Sequence, residues 1–138
     1  MKYVLDTNTV SALLKGEANA VARLIASEPS SVAVPQPVIA EIRFGLERLP
    51  NGKRKVHLVK RWSLFEKYLA RIGWTDDVSH KFGIIKAALQ RSGKVLEDFD
   101  IAIAAHAVAN DSILVTSDIF HMSRIRELKA EDWTAARD

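Results

Sequence analysis

MKYVLDTNTVSALLKG, residues 1–16, holds a strand, a carboxylate and a helix in one short stretch. The apolar run YVL predicts a buried strand over 2–5, and apolar residues at helical spacing predict a helix over 7–15. Gly16 is typical of a helix end. Asp6 stands between the two elements, directly after the strand. A charged side chain is rarely left in an apolar core, so the position of Asp6 needs an explanation.

The rest of the chain repeats this alternation of strand and helix. Prolines and glycines separate the segments, and neither an internal repeat nor a flexible linker divides the chain. Because strands alternate with helices, we expect an α/β fold with a mainly parallel sheet. The predicted strands cover 2–5, 31–34, 70–74, 112–116 and an edge strand within 128–133. The predicted helices cover 7–15, 18–27, 37–48, 53–69, 75–91 and 98–109.

This fold class explains why a carboxylate follows the first strand. In open parallel sheets, ligands bind outside the carboxyl ends of the strands, so Asp6 is expected at the floor of a site. Three more acidic residues occupy comparable positions. Asp118 directly follows the strand SILVT, Glu41 lies among apolar residues near a helix start, and Asp100 lies at the start of the alanine-rich helix DIAIAAHA. We predict that these four carboxylates share one site.

Each of the four positions also has a purely structural explanation. Asp6 and Asp118 suit the N-caps of the helices that follow them. Asp100 suits the dipole at a helix N-terminus. Glu41, taken alone, is better explained as a helix side chain that reaches solvent. The acidic site is therefore a hypothesis that depends on the four residues converging.

Four carboxylates in one partly buried place repel one another. A divalent cation removes that repulsion, and an all-oxygen ligand set without cysteine favours Mg²⁺ or Mn²⁺. Such an ion holds a phosphate, lowers the pKa of a bound water and neutralises charge on the leaving oxygen. These are the requirements of phosphodiester hydrolysis, so we predict a metal-dependent hydrolase.

The composition narrows the class of protein. The chain has 138 residues and no cysteine, which fits one domain with a sizeable core and removes disulfides and thiolate metal sites. A net charge of +3 is compatible with a polyanionic partner. No segment has the roughly 18 apolar residues of a membrane span, and the first residues lack a signal-peptide pattern. We therefore expect a cytoplasmic protein without a membrane partner.

The predicted helix over 53–69, KRKVHLVKRWSLFEKYL, is strongly basic. Its Lys60 and Arg61, with Arg43 of the preceding helix, are candidate contacts to an RNA backbone, and Trp62 is a candidate for stacking on a base. A solvated basic face above a buried aromatic stripe explains most of these residues better. The predicted apolar side of the helix carries Val56, Val59, Phe65 and Leu69.

Taken together, YVLDTNTVSALLKG, VIAEIRFGL and DIAIAAHAVANDSILVTSD resemble the motifs of VapC-like toxins in the PIN-domain ribonuclease superfamily. The closing HMSRIRELKAEDW is typical of the family in spacing, with Met122 where the family usually has Phe. The resemblance covers nearly the whole chain and implies one PIN domain over 1–138. The motif LDTN is only moderately specific, whereas the four segments in this order and spacing are strongly specific.

The resemblance also implies roles for single residues. It places in the acidic, metal-holding site Asp6, Glu41, Asp100 and Asp118. Asp100 is preferred to Asp98 because it lies three residues before Ile103, in the register of the family, and Asp118 stands where the family uses Asp or Asn. Residues implied to orient carboxylates or waters are Thr7, Asn8 and Thr116. A turn residue at Asn8 and an ordinary strand-end threonine at Thr116 are equally good explanations.

The fold and activity implied by the resemblance are those of a PIN-like three-layer sandwich. About five mainly parallel strands carry helices on both faces, and the activity is Mg²⁺- or Mn²⁺-dependent cleavage of structured RNA, such as tRNA or ribosomal RNA, that inhibits translation and growth. The implied partners are a small antitoxin, which brings operator DNA, and a second copy of the chain. Hydrolysis by water predicts 5′-phosphate and 3′-hydroxyl ends.

Three other functions compete with this interpretation. DTNTV is similar to the opening of aspartyl phosphatases of the haloacid dehalogenase superfamily, but Asn8 stands where that pattern requires a second aspartate. A PIN nuclease that processes RNA or cuts DNA, without a toxin role, is the second. A non-catalytic PIN module that binds nucleic acid or a basic peptide is the third, and the presence of all four acidic positions argues against it.

Overall fold

Five strands form one parallel sheet in the computed structural model, which describes residues 1–136. Their order across the sheet is β3-β2-β1-β4-β5, so the first strand of the chain is the central one. Its neighbours pair with it in register, with Val4 opposite both Ala33 and Leu114. The strands are β1 (Tyr3–Leu5), β2 (Val32–Pro35), β3 (Ala70–Ile72), β4 (Ile113–Val115) and β5 (Ala130–Glu131).

Helices connect these strands as predicted. A turn of 3₁₀ helix, Pro29–Ser31, precedes β2, and the four-residue α7 follows β4. The helices are α1 (Thr7–Leu14), α2 (Ala18–Ile25), α3 (Gln36–Glu47), α4 (Lys53–Tyr68), α5 (Asp76–Arg91), α6 (Asp98–Ala109) and α7 (Ile119–Met122). The predicted α/β class and the mainly parallel sheet are confirmed, and the predicted boundaries differ from the observed ones by a few residues.

The central strands are buried on both faces. Successive residues Val4 and Leu5 in β1, and Leu114 and Val115 in β4, are fully buried although their side chains point to opposite sides of the sheet. Only a sheet that is covered on both faces allows this pattern. The alanine-rich α6 contributes small buried side chains, so its backbone packs closely against neighbouring elements.

The predicted apolar side of α4 is partly wrong. Val56 is 68% exposed and Val59 is also exposed, whereas Trp62 is buried and Phe65 and Leu69 face the core. Because α1 and α3 pack against α4, the helix presents the side that carries Trp62 to them. Burial of Trp62 also rules out the predicted stacking of this side chain on a base.

Gly16 and Arg61 fix the turn after the first helix. Gly16 has a φ of +77°, a left-handed conformation that favours glycine, and the chain reverses there into α2. The Arg61 guanidinium donates a hydrogen bond to the carbonyl of Leu14 at the end of α1. At the other end of the chain, Trp133 is buried, as predicted, and donates to the Glu131 carboxylate. Within residues 1–136, no helix has both the length and the apolar character needed to cross a membrane.

Candidate active site

The four predicted carboxylates come from four elements around the carboxyl end of β1. Asp6 directly follows β1, and Asp118 comes shortly after β4, the strand beside it. Glu41 lies on α3, which begins where β2 ends, and Asp100 lies in the first turn of α6. The negative charges of Glu41, Asp118 and Asp6 all raise the pKa of Asp100, as expected if the four carboxylates face one another.

Asp6 is a helix cap and a site residue at once. Its carboxylate accepts a 2.8 Å hydrogen bond from the backbone N–H of Thr9, which caps α1. The side chain of Thr9 in turn donates to the carbonyl of Val115 in β4. Burial raises the pKa of Asp6, and Thr116 and Thr9 oppose that rise. The capping explanation and the site explanation for Asp6 therefore both apply.

Glu41 is held toward the site by a threonine. The Thr7 hydroxyl donates a 2.5 Å hydrogen bond to the Glu41 carboxylate across 34 positions of sequence. This contact fixes the rotamer of Glu41 on α3 from the first residue of α1. Asn8, the next residue, is exposed and lies along the groove described below, and its predicted orienting role stays a prediction.

Asp100 is the carboxylate with the most electrostatic repulsion around it. Burial is the main reason that its pKa is raised, and the negative charges of Glu41, Asp118, Asp6 and Glu97 raise it further. The other acidic neighbour, Asp98, is exposed and pairs with Lys86 at 2.9 Å. Lys86 thus satisfies Asp98 away from the site, and Glu97 adds to the repulsion that Asp100 experiences.

Asp118 has a partner that sequence reasoning did not find. The ring Nδ1–H of His121 donates a 2.7 Å hydrogen bond to the Asp118 carboxylate, which also accepts from the backbone N–H of His121 and so caps α7. Burial acts to raise the pKa of Asp118, but the hydrogen bonds and charge of His121, together with Arg124, hold that pKa below its ordinary value. Thr116 also supports this turn, because its hydroxyl accepts the Asp118 N–H.

The site thus has two unlike sides. We call Asp6 and Asp100 the inner wall, and Asp118 with His121 and Arg124 the outer wall. On the inner wall burial and negative neighbours raise the pKa of each carboxyl group. On the outer wall a histidine and an arginine already stabilise the charge.

The donor set of the site fits a hard divalent cation. The donors are carboxylate oxygens, and a cation would relieve the repulsion that raises the pKa of Asp100. Within residues 1–136, no three acidic or histidine side chains converge into a ready-made ion cage. Mg²⁺ in proteins keeps several waters and commonly uses one or two carboxylates together with substrate phosphates.

Comparison with known proteins identifies one matching family. The PIN domain family matches residues 3–128. The chain belongs to that family. A VapC2 ribonuclease of Haemophilus influenzae is 30% identical over 137 residues, covering 96% of this chain and 98% of the relative. A tRNA(fMet)-specific endonuclease VapC of Shigella flexneri is 26% identical over 137 residues, covering 97% of this chain and 99% of that protein.

Solved structures agree with the sequence relatives. The VapBC2 complex of Rickettsia felis, bound to a DNA fragment from its promoter, contains a chain with a TM-score of 0.86 and 26% identity, covering 96% of this PIN domain and 99% of that chain. The DNA-bound VapBC of Salmonella typhimurium gives a TM-score of 0.86 at 25% identity, covering 96% and 98%. The predicted resemblance to VapC-like PIN nucleases is confirmed, and it leaves no place for the aspartyl phosphatase alternative.

An open groove of about 490 Å³ runs from the acidic site of this PIN domain between α1, α3 and α4. Thr7 and Glu41 lie at its end nearest the site. Its floor is largely apolar, and three basic side chains line it as well. The apolar residues include Leu14, Phe44 and Leu58, and the basic residues are Lys15, Arg48 and Arg54.

The three predicted RNA-binding residues of the PIN domain lie on α3 and α4. Arg43 is exposed and pairs with Glu66 at 2.9 Å. Lys60 is exposed on α4. Arg61 is half-buried and donates to the Leu14 carbonyl, which gives it a structural role in the turn after α1. Contacts of these residues with RNA stay predictions.

Proposed function

We propose that this PIN domain is a Mg²⁺- or Mn²⁺-dependent endoribonuclease that acts in the cytoplasm as the toxin of a type II toxin–antitoxin system. It cleaves structured RNA, with tRNA as the first candidate because one relative is named a tRNA(fMet)-specific endonuclease. The observation that supports the proposal is that the negative charges of Glu41, Asp118 and Asp6 raise the pKa of Asp100, a repulsion that a cation would relieve.

Each residue of the site has its own proposed role. Asp6 and Asp100 would hold the ion, with Glu41 and Asp118 completing its surroundings directly or through water. When bound, Mg²⁺ or Mn²⁺ supplies a phosphate anchor, a water of lowered pKa and a counter-charge for the leaving oxygen. Thr7 keeps the Glu41 carboxylate turned inward, and His121 fixes the orientation of Asp118. Pre-set ligands of this kind lower the cost of ordering the site around RNA.

The groove beside the site is the proposed binding site of the antitoxin. An apolar floor suits the apolar face of a peptide segment, and a basic antitoxin side chain entering the acidic site would replace the charge of the metal. Solved structures similar to this chain include VapBC2 of Rickettsia felis and VapBC of Salmonella typhimurium, both bound to DNA. Homodimer formation and operator binding through the antitoxin are predictions from the resemblance.

The first experiment expresses the chain under tight control and sequences the 5′ ends of total cellular RNA. Purified RNA is then treated with the protein with and without Mg²⁺. We expect new metal-dependent ends at a few sites, with 5′-phosphates, for the wild type and none for Asp6→Asn. Asp98→Asn is the matched control, since Asp98 is an exposed carboxylate at the start of α6 that pairs with Lys86.

Two results would contradict the proposal. Wild-type protein that binds Mn²⁺ but makes no new RNA ends would indicate a different substrate or a non-catalytic module. Initial products ending in 2′,3′-cyclic phosphates would indicate attack by the RNA 2′-hydroxyl instead of water. Growth arrest that a co-expressed small neighbouring protein relieves would separate a toxin from an RNA-processing nuclease.

A further inference from the structure

The short helix α7 exposes an aromatic ring beside the outer wall. Phe120 is 75% exposed, although Met122 in the same helix is buried. The Phe120 ring stands edge-on to the His121 ring, with centroids 5.2 Å apart. His121 in turn contacts the Asp118 carboxylate at 2.7 Å. A single side chain therefore separates this ring from the acidic site.

Two neighbours hold the ring in place. The Arg124 guanidinium lies over the Phe120 ring, 5.8 Å from its centroid. Arg124 is itself anchored, because its Nη1 donates a 2.8 Å hydrogen bond to the carbonyl of Val95. An aromatic ring that is already oriented loses little conformational freedom when a ligand stacks on it.

We propose that Phe120 is a stacking platform for an unpaired nucleobase of the RNA substrate, next to the phosphate that is cut. This inference rests on the proposed ribonuclease function. Every base has a flat π face, and aromatic side chains bind bases by stacking in a largely sequence-tolerant way. Structured RNA presents such bases in loops and bulges. Arg124 adds a positive charge beside the ring, which favours a phosphate backbone there.

The surroundings of the ring favour a nucleobase over a protein partner. Its two ring contacts are an imidazole and a guanidinium, which are the side chains that stack with bases. Arg124 beside the ring adds a positive charge, which favours a polyanionic ligand over an apolar protein surface. Its position beside Asp118 also fits a base adjacent to the cleavage site, since the reacting phosphate must lie against the carboxylates.

The test compares three variants on an RNA hairpin that carries the cleavage site mapped in cells. Phe120→Ala and Phe120→Leu are expected to raise KM about tenfold with kcat within about twofold, because leucine keeps the bulk but not the π face. Phe120→Trp is expected to retain the wild-type KM. Tyr68→Ala is the control, since Tyr68 is an exposed aromatic residue just before β3 begins, at the opposite edge of the sheet.

A hairpin with single abasic nucleotides sharpens the test. At one position next to the cut, loss of the base is expected to weaken wild-type cleavage about tenfold but to leave Phe120→Ala unaffected. Equal abasic penalties in both proteins, or wild-type KM for Phe120→Leu, would overturn the proposal. If Phe120→Ala weakens only antitoxin binding or self-association, the ring belongs to a protein interface and the proposal is wrong. Absence of cleavage by the wild type would instead overturn the ribonuclease function and this inference with it.

Discussion

The inner and outer walls of the site shift the pKa values of their carboxyl groups in opposite directions. On the inner wall, Asp6 is buried and Asp100 half-buried, and burial raises the pKa of both carboxyl groups. On the outer wall, Asp118 is more accessible, and His121 with Arg124 lowers its pKa. A wall that lacks its own cations is the better place for a metal ion, so the inner wall is expected to dominate activity.

The largest expected effect comes from the inner wall itself. Asp6→Asn keeps an oxygen that can cap α1 but removes a charge that would hold the ion. We expect single-turnover cleavage to fall about 1,000-fold, a loss of roughly 4 kcal/mol of transition-state stabilisation. Isothermal titration with Mn²⁺ should show weakened binding by the folded variant. Near-normal cleavage by Asp6→Asn would show that the inner wall does not dominate activity.

Asp118→Asn is expected to cost less, about a hundredfold, because its charge is already balanced by protein groups. Asparagine can accept the same hydrogen bonds from His121, so α7 should remain capped. The measurement is the cleavage rate as a function of Mg²⁺ concentration, run beside Asp6→Asn. A loss equal to that of Asp6→Asn would show that the two walls contribute equally and would overturn the distinction between them.

Replacing His121 tests the outer wall without touching a carboxylate. His121→Ala removes the 2.7 Å hydrogen bond to Asp118, so the pKa of Asp118 should rise toward its ordinary value. Loss of a partner that orients a metal-binding carboxylate typically costs about tenfold in activity or metal affinity. Carboxyl NMR titration of the metal-free protein measures the pKa of Asp118. Thr7→Val is the matched variant, because it removes the hydrogen bond to the Glu41 carboxylate.

The smallest effect is on stability in the absence of metal. Because folded Asp100 has a raised pKa, the folded chain holds that proton more tightly than the unfolded chain. Stability therefore falls as pH rises from about 3.8 through the raised pKa of Asp100. Asp100→Asn should lack this fall and melt a few degrees higher than wild type at pH 7.

On the outer wall, stability changes with pH in the opposite direction. Asp118 has a lowered pKa in the folded chain, so it adds stability above about pH 3.8 that is lost as pH falls through that lowered pKa. Thermal melts of metal-free Asp100→Asn and Asp118→Asn between pH 3 and pH 7 test both signs together. Equal melting profiles for the two variants would contradict the difference between the walls.

Much of the fold and the positions of the acidic residues follow from local patterns. Strand and helix periodicities predict the α/β class, and the rule that sites lie at the carboxyl ends of parallel strands predicts Asp6 and Asp118. Both residues also cap helices, so capping and site roles are not alternatives here. Local sequence alone cannot show that Glu41 points inward, because its partner Thr7 lies 34 positions away.

Sequence reasoning failed in two places, one decided by tertiary packing and one by a local contact. On α4, several faces carry apolar residues, and only packing against α1 and α3 selects the side with Trp62 and leaves Val56 exposed. The pairing of His121 with Asp118 was missed because it requires the short helix α7. The spacing of three residues between an N-cap aspartate and a polar side chain is a capping signal, and it was available in the sequence.

The central place of β1 has a consequence for the newly made chain. β1 is synthesised first, yet one of its two neighbours, β4, is made only at residues 113–115, and Asp118 follows later still. A nascent chain that stops short of β4 leaves one edge of β1 unpaired, and its acidic site lacks Asp118. The proposed nuclease site is therefore complete only after residues 113–118 have been made.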